Sequence, residues 1–148
     1  MQWRMRMILA GLLCGTTLSA LAGDALDPVA TVNAFRRAIE SGDARTAEVL
    51  LAPELLVYES GDQDRSRSDY VGHHMEADMA FLANAKVRVL EQQGSSQGDL
   101  AWVTTRSRIA SGSGNTLGAE TMILRRGGDG WRIVHIHWSS SPASKEDD

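Results

Sequence analysis

Four segments in which apolar and polar side chains alternate constrain the fold of this chain more than any other feature, and they follow one another from residue 86 onward. This two-residue period predicts strands at 86–93, 100–110, 116–126 and 130–142. Glycine-containing turns separate the strands, and the last turn, GGDG, is short enough for a tight hairpin. Consecutive strands joined by short turns form an antiparallel meander, so we predict one antiparallel sheet here.

The last predicted strand, 130–142, carries two histidines at alternate positions. A period of two places His135 and His137 on the same face as Trp131 and Ile133. Both faces of the strand are largely apolar, which predicts that both are covered. Buried imidazoles need partners, because burying an unpaired polar group costs about 1–3 kcal/mol. The histidines are therefore either satisfied core residues or the polar floor of a pocket.

The N-terminal half shows the spacing of amphipathic helices. We predict three helices that begin at the N-caps Asp27, Asp43 and Ser68, the second of which is stopped by Pro53 and the third of which extends to about residue 83. A short strand at 55–59 precedes the third helix. Helices followed by an antiparallel meander define an α+β fold, with the three helices packed on a strongly curved sheet.

The first 22 residues have the features of a cleaved signal peptide. Arg4 and Arg6 give a positive start, an apolar or small-residue run follows, and Ala20-Leu21-Ala22 has the form of a signal-peptidase site. We predict export to the periplasm with cleavage after Ala22. An uncleaved N-terminal anchor is the alternative interpretation.

The mature chain is predicted to hold one domain, residues 23–142, and a disordered acidic tail, residues 143–148. Cleavage removes two of the 15 basic residues and none of the 19 acidic ones, so the formal charge changes from −4 to −6. This acidic balance argues against a nucleic-acid partner and against attachment to anionic membranes. Cleavage also removes Cys14, the one cysteine, which excludes disulfides and thiolate chemistry from the mature protein.

Three segments of the chain resemble the nuclear transport factor 2-like superfamily, namely AIESGDARTAEVLLAPELLVYES, GGDGWRIV and VHIHWSSSP. Within that superfamily the chain looks like the bacterial SnoaL-like branch, over about residues 28–142. The last segment is also similar to the end of the calcium/calmodulin-dependent kinase association domain.

The resemblance implies a cone-shaped cavity between sheet and helices, and dimerisation through the outer face of the sheet. Steroid isomerases of this fold use an aspartate base with a tyrosine and a protonated aspartate, and none of these residues is assigned to this chain. The same fold serves isomerases, dehydratases, cyclases, binding proteins and oligomerisation modules, so function has to be argued from the site.

Charged side chains that share a strand face with apolar neighbours are the candidates for that site. Glu120 shares its face with Met122, and Glu59 follows Val57 by two residues. A carboxylate in such surroundings must be paired, hydrated or protonated. We predict Glu120, His135 and His137 as catalytic residues, with Glu120 and at least one of the histidines pointing inward. The predicted ligand-binding residues are Tyr58, Glu59, His74, Trp102, Arg106 and Met122.

Three interpretations of this cluster compete. The first is a site for a small organic molecule, in which a carboxylate and a histidine transfer protons without a cofactor, as in isomerases or lyases. The second is a metal site, with His74, His135, His137 and a glutamate as ligands. The third is a structural hydrogen-bond network within a dimerisation module. We favour a homodimer that binds a small molecule without metal or cofactor, and leave catalysis open.

Overall fold

The computed structural model describes residues 27–112 and 114–144. Its helices are α1 (Pro28–Ser41), α2 (Ala44–Leu50), α3 (Arg67–His73) and α4 (Met75–Ala83), and its strands are β1 (Leu51–Glu59), β2 (Asp62–Asp64), β3 (Lys86–Gln97), β4 (Leu100–Ser111), β5 (Gly114–Gly127) and β6 (Gly130–Pro142). The predicted signal peptide, residues 1–22, and residues 145–148 of the predicted tail lie outside the described residues. In the described part of the chain, the helices are too short or too polar to cross a membrane.

The six strands form one curled sheet in the order β2-β1-β6-β5-β4-β3. The four C-terminal strands pair antiparallel with their neighbours in chain order, which confirms the predicted meander. The sheet is not antiparallel throughout, because β1 pairs with β6 in parallel. The helices pack on the concave face of the sheet, so the predicted α+β cone is confirmed.

The helical region differs from the prediction in number and in one starting point. The side chain of Ser66, rather than that of Ser68, caps α3 by accepting the N–H of Asp69 at 3.0 Å. The predicted third helix is two helices, because the chain breaks at His74, whose Nδ1 lies 2.7 Å from Oδ2 of Asp64. Asp64 lies in β2, a three-residue strand between β1 and α3.

The first two helices begin where the sequence indicates. The Asp27 side chain accepts the N–H of Val29 at 2.8 Å, and the Asp43 side chain accepts the N–H of Thr46 at 3.0 Å. Gly42 has a φ of 72°, the left-handed conformation that ends many helices. These caps place α1 along the concave face of the sheet.

One hydrophobic core fills the space between α1 and the sheet. The helix contributes Val32, Phe35, Ala38 and Ile39, and the sheet contributes Leu55, Val57, Val103, Met122, Leu124, Ile133 and Ile136, all buried. Each such side chain stabilises the fold by about 1.5–3 kcal/mol relative to remaining exposed. The core occupies one end of the cone and leaves the other end hollow.

A β-bulge interrupts the regular alternation of β6. Ile133 pairs with Leu124 and His135 pairs with Ile123, so Val134 is an extra residue without its own partner in β5. An extra residue on one strand reverses the alternation of faces beyond it. The residues of β6 that face the core are therefore odd-numbered before Val134 and even-numbered after it.

This bulge determines which face the histidines occupy. Trp131 precedes the bulge and faces the core, whereas beyond the bulge Ile136 and Trp138 face inward. His135 and His137 consequently lie on the outer face of the sheet. The prediction that the histidines share a face with Trp131 is wrong because it counted an unbroken period of two.

Gly94 in β3 is the glycine at which a side chain would collide most directly with α1. A Cβ there would lie 2.7 Å from Cγ2 of Val29. We expect Gly94→Ala to lower the free energy of unfolding by about 1–3 kcal/mol, because overpacking shifts the helix from the sheet. Urea denaturation measures this loss. A cost for Gly94→Ala that stays unchanged in a Val29→Ala background would contradict this contact. Gly72→Ala, where a Cβ meets nothing within 4 Å, is the matched control.

Candidate functional site

A cavity of about 280 Å³ lies between α1, α4 and the concave face of the sheet. Its apolar lining consists of Phe35, Ile39, Phe81, Leu82, Val87, Ile109 and Trp138. Its charged lining consists of Arg36, Glu40, Glu59, Asp78 and Glu120, with Ser60, Ser107, Thr116, Ser139 and Ser140 as hydroxyl groups. Walls that combine apolar side chains with convergent polar groups are typical of small-molecule sites, and this volume suits a small ligand.

A row of side chains crosses the sheet at one level, and three of its members, Glu59, Trp138 and Glu120, line this cavity. Strand pairing places Glu59 beside Trp138, Trp138 beside Glu120, Glu120 beside Thr105, and Thr105 beside Gln92. Directly paired residues of neighbouring strands share a face, so all five point toward the helices. We call these five residues the polar row. Its members also bond to one another: the Trp138 indole N–H donates to Oε2 of Glu120 at 2.7 Å.

The other oxygen of Glu120 faces a cation from the helix layer. Nη1 of Arg36 lies 3.5 Å from Oε1 of Glu120, and the two side chains are only 12% and 10% exposed. Among the described residues, Oε1 is buried without a hydrogen-bond partner. The Glu120 carboxylate is thus held in place by an ion pair and an indole, with one oxygen still able to accept a hydrogen bond.

Asp78 on α4 faces the cavity from the opposite side and is positioned by a tyrosine. The hydroxyl of Tyr70, a fully buried residue, donates to Oδ2 of Asp78 at 2.8 Å. Burial raises the pKa of Asp78 to about 6, against the lowering effect of the Tyr70 hydrogen bond. The negative charge of Glu59 raises the pKa further. Asp78 therefore changes its protonation state close to neutral pH, as a proton-transfer group requires.

A second, smaller cavity of about 160 Å³ adjoins the first at Glu59, and it is lined by Val57, Glu59, Ser60, Asp62, Asp64 and His74. The hydrogen bond to Asp64 raises the pKa of His74, so this pair places a cation next to the acidic groups. Burial raises the pKa of Glu59, and the His74 charge opposes that rise. Glu59 thus contacts both cavities and is coupled electrostatically to Asp78.

Several predicted site residues lie on the outer face of the sheet, away from both cavities. His135 and His137 are there because of the bulge, and the prediction that at least one of them points inward is wrong. Tyr58 packs its ring edge against His135 at 5.8 Å between centroids. Trp102 and Arg106 occupy the face of β4 that the helices do not cover, where large side chains fit. Burial lowers the pKa of His135, so its ring tends to remain neutral.

The remaining predicted residues lie on the inner side. Met122 is fully buried in the core and does not line the cavity. Glu59 and Glu120 line the large cavity, as their strand faces indicated, and His74 lines only the small one.

Sequence reasoning missed Arg36 and Asp78 as cavity residues. Arg36 and Glu40 are four residues apart and border the buried face of α1, a spacing that the sequence does contain. Tyr70 and Asp78 are eight residues apart, about two helical turns, which is the available signal for that pair.

The ligand set considered for a metal ion is not brought together. His74 lies at the junction of α3 and α4, whereas His135 and His137 lie on the outer face of the sheet. Within residues 27–112 and 114–144, no three His, Cys, Asp or Glu side chains have a geometry that could hold a metal ion.

Solved structures show which class of protein has this fold. A putative ketosteroid isomerase from Shewanella frigidimarina NCIMB 400 is 34% identical, with a TM-score of 0.72 over 74% of this chain and 91% of that one. A putative dehydratase from the NTF2-like family of Streptomyces avermitilis is 23% identical, with a TM-score of 0.63 over 82% and 97%. A putative calcium/calmodulin-dependent protein kinase type II association domain from Thiobacillus denitrificans ATCC 25259 is 18% identical, with a TM-score of 0.63 over 80% and 97%. The fold is thus that of the nuclear transport factor 2-like superfamily.

The family is identified by the sequence itself. A model of the SnoaL-like domain matches residues 29–144, which is most of the chain. This protein therefore belongs to the SnoaL-like domain family. No curated protein matches the chain.

Proposed function

We propose that this protein binds a small organic molecule in the 280 Å³ cavity and that Asp78 transfers a proton to or from it, in a cofactor-free isomerase or lyase type of reaction. The observation that carries this proposal is the Tyr70–Asp78 pair, which places a carboxyl group with a pKa of about 6 against an apolar cavity. Relatives of the same fold that are named putative isomerase and dehydratase support proton-transfer chemistry.

The geometry suits abstraction of a proton from carbon. Above pH 6 the Asp78 carboxylate takes the proton, the C–H electron pair moves to a neighbouring carbonyl as an enolate, and the proton returns to the same or another carbon. Tyr70 positions the carboxylate. Arg36, the only cation among the described lining residues, faces the cavity with guanidinium N–H groups that can donate to the enolate oxygen.

A neutral bicyclic ketone, 2-tetralone, tests this proposal. We expect calorimetry to detect its binding, and NMR in D₂O to show faster deuterium uptake next to its carbonyl than in buffer alone. Thr116→Phe, which fills the cavity, is expected to abolish both. Thr121→Phe is the matched control, because Thr121 lies on the same strand but pairs with His137 on the outer face. Absence of both binding and exchange in the unmodified protein would remove the proposal.

We also propose a homodimer formed through the outer face of the sheet. Trp102, Ile123 and His135 are consecutive partners across β4, β5 and β6, and Tyr58 packs on His135. Trp102 is 43% exposed and Tyr58 is 41% exposed, so these four outer-face side chains form a largely apolar surface open to water. A contiguous exposed apolar surface of this kind is typical of an interaction site.

Native mass spectrometry of the exported protein tests the dimer and the proposed periplasmic export together. We expect a dimer of chains that begin at Gly23, and we expect Trp102→Asp to convert it into a monomer. Val49→Asp is the control, because Val49 is an exposed apolar residue too, at 53%, but lies on α2. A Trp102→Asp protein that remains dimeric would place the interface elsewhere, and a chain that retains residues 1–22 would contradict cleavage.

A further inference from the structure

The charges that line the large cavity are unbalanced. Among the described lining residues, four are carboxylates, on Glu40, Glu59, Asp78 and Glu120, and one is a guanidinium, on Arg36. Arg36 is directed at Glu120, so its charge is already matched by one of the four. No other lysine or arginine among the described residues lines this cavity. The nearby cation His74 lies in the adjoining smaller cavity, where its charge is paired with Asp64 at 2.7 Å.

Glu59 is the carboxylate that most clearly lacks a partner. It is half-buried at the meeting point of the two cavities, and it makes no hydrogen bond or ion pair with the described residues. The charge of Glu59 disfavours ionisation of Asp78 across the cavity. Of the charges that act on Glu59 itself, Asp64 disfavours its ionisation and His74 favours it. A positive charge placed between Glu59 and Asp78 would relieve the repulsion between these two groups.

Glu120 provides a second, independent observation. Its side chain forms part of the cavity wall and is 10% exposed, and Oε1 is buried and accepts no hydrogen bond from the described residues. A buried acceptor in this condition costs about 1–3 kcal/mol unless a donor reaches it. Arg36 at 3.5 Å supplies charge but not a hydrogen bond, so the Glu120 carboxylate in the cavity wall retains unmet acceptor capacity.

We propose that the ligand of this cavity is an organic cation, with an apolar body against the cavity walls and a protonated nitrogen directed toward Glu59. This inference rests on the proposed function, because it requires that the cavity binds a ligand. An organic anion would bring a further negative charge to a cavity whose described lining has four carboxylates and one guanidinium, and a neutral molecule would leave that excess of negative charge in place.

Three ligands with the same bicyclic body and different charge test the proposal: 2-aminotetralin, which is protonated at neutral pH, 2-tetralone, and tetralin-2-carboxylate. Calorimetry at pH 7.5 in 150 mM salt is expected to show that the ammonium compound binds at least about tenfold more tightly than the ketone, since a charge-assisted hydrogen bond has about this effect. The carboxylate is expected to bind most weakly. Salt at this level screens attraction to the acidic surface more than attraction within the cavity.

The variant Glu59→Gln tests whether Glu59 causes the preference for the ammonium compound over the ketone. We expect the ratio of ammonium to ketone affinity to fall about tenfold in this variant, and to stay within about twofold in Glu54→Gln. Glu54 is the matched control because it is an exposed glutamate of the same strand that pairs with Arg125.

The order of the three ligand affinities in the unmodified protein tests the proposal even if Glu59→Gln does not fold. Binding of 2-tetralone with equal or weaker binding of 2-aminotetralin overturns the cation proposal and leaves the proposed function intact. Tightest binding of tetralin-2-carboxylate overturns it in favour of Arg36 as the recognition group. Failure of all three compounds to bind overturns the cation proposal and the proposed function together.

Discussion

Replacing Asp78 with asparagine is expected to reduce the rate of 2-tetralone deuteration by roughly 10²–10⁴-fold, the usual contribution of a positioned acid–base group. Asparagine has the same shape and can still accept the Tyr70 hydrogen bond, but it cannot take up a proton. NMR in D₂O at pH 7.5 measures the rate. Asp129→Asn, an 88% exposed carboxylate of the turn between β5 and β6, is the control and is expected to retain the rate. An Asp78→Asn protein with an unchanged rate would show that another group is the base.

The same substitution is expected to make the protein more stable at pH 8. Burial raises the pKa of Asp78 from 3.8 to about 6, so the folded protein holds this proton more tightly than the unfolded chain does. Ionisation above pH 6 therefore destabilises the fold, by up to roughly 3 kcal/mol, and the penalty disappears as the pH falls toward 4. Asparagine carries no such penalty. Urea denaturation between pH 4 and pH 8 should show the variant gaining stability over the unmodified protein as the pH rises, and a difference independent of pH would contradict the assignment.

Removing the Glu120 side chain is expected to have the largest effect on stability. Glu120→Ala leaves the Arg36 guanidinium 12% exposed without its counter-charge, and the loss of one partner of a buried pair costs about 3–5 kcal/mol. It also removes the acceptor of the Trp138 indole. Urea denaturation of Glu120→Ala, Arg36→Ala and the double variant, combined in a double-mutant cycle, separates the pair interaction from the packing loss.

An exposed pair provides the comparison for that cycle. The Arg125–Glu54 ion pair is shorter, at 2.8 Å, but its side chains are 55% and 52% exposed. Solvent screens such a pair, so Glu54→Ala is expected to cost no more than about 1 kcal/mol. Equal losses of unfolding free energy in Glu54→Ala and Glu120→Ala would mean that burial does not strengthen the Arg36–Glu120 pair. Glu120 would then serve the ligand rather than the fold.

The faces of the regular strands could be predicted from the sequence, and that of β6 could not. Alternation placed Glu59 with Val57, and Glu120 with Met122, and the structure retains both faces. In β6 the single extra residue Val134 reverses the parity. Nothing in the sequence of a strand reveals a bulge, because the bulge is defined by pairing with the neighbouring strand.

Alternation also leaves open which face of a strand is the inner one. Trp102 and Arg106 look suited to a ligand wall, but the inner face of β4 carries small side chains such as Ala101 and Ser107 because α1 lies close to it. Arg36 and Asp78 were missed for a different reason. Both border the buried faces of helices, where a helical period separates apolar from polar residues and does not show which polar residues face a hollow.

Trp138 lies in the polar row between Glu59 and Glu120, and its ring is 6.1 Å from the Tyr70 ring. The emission of an indole shifts with the polarity and charge around it, and Trp138 lines the cavity between two of the carboxylates proposed to meet the ligand. Trp102 and Trp131 lie outside the cavity, so their emission is expected to stay constant when a ligand binds. The fluorescence of Trp138 is therefore expected to report whether the cavity is occupied, so binding of a candidate compound can be measured without a label.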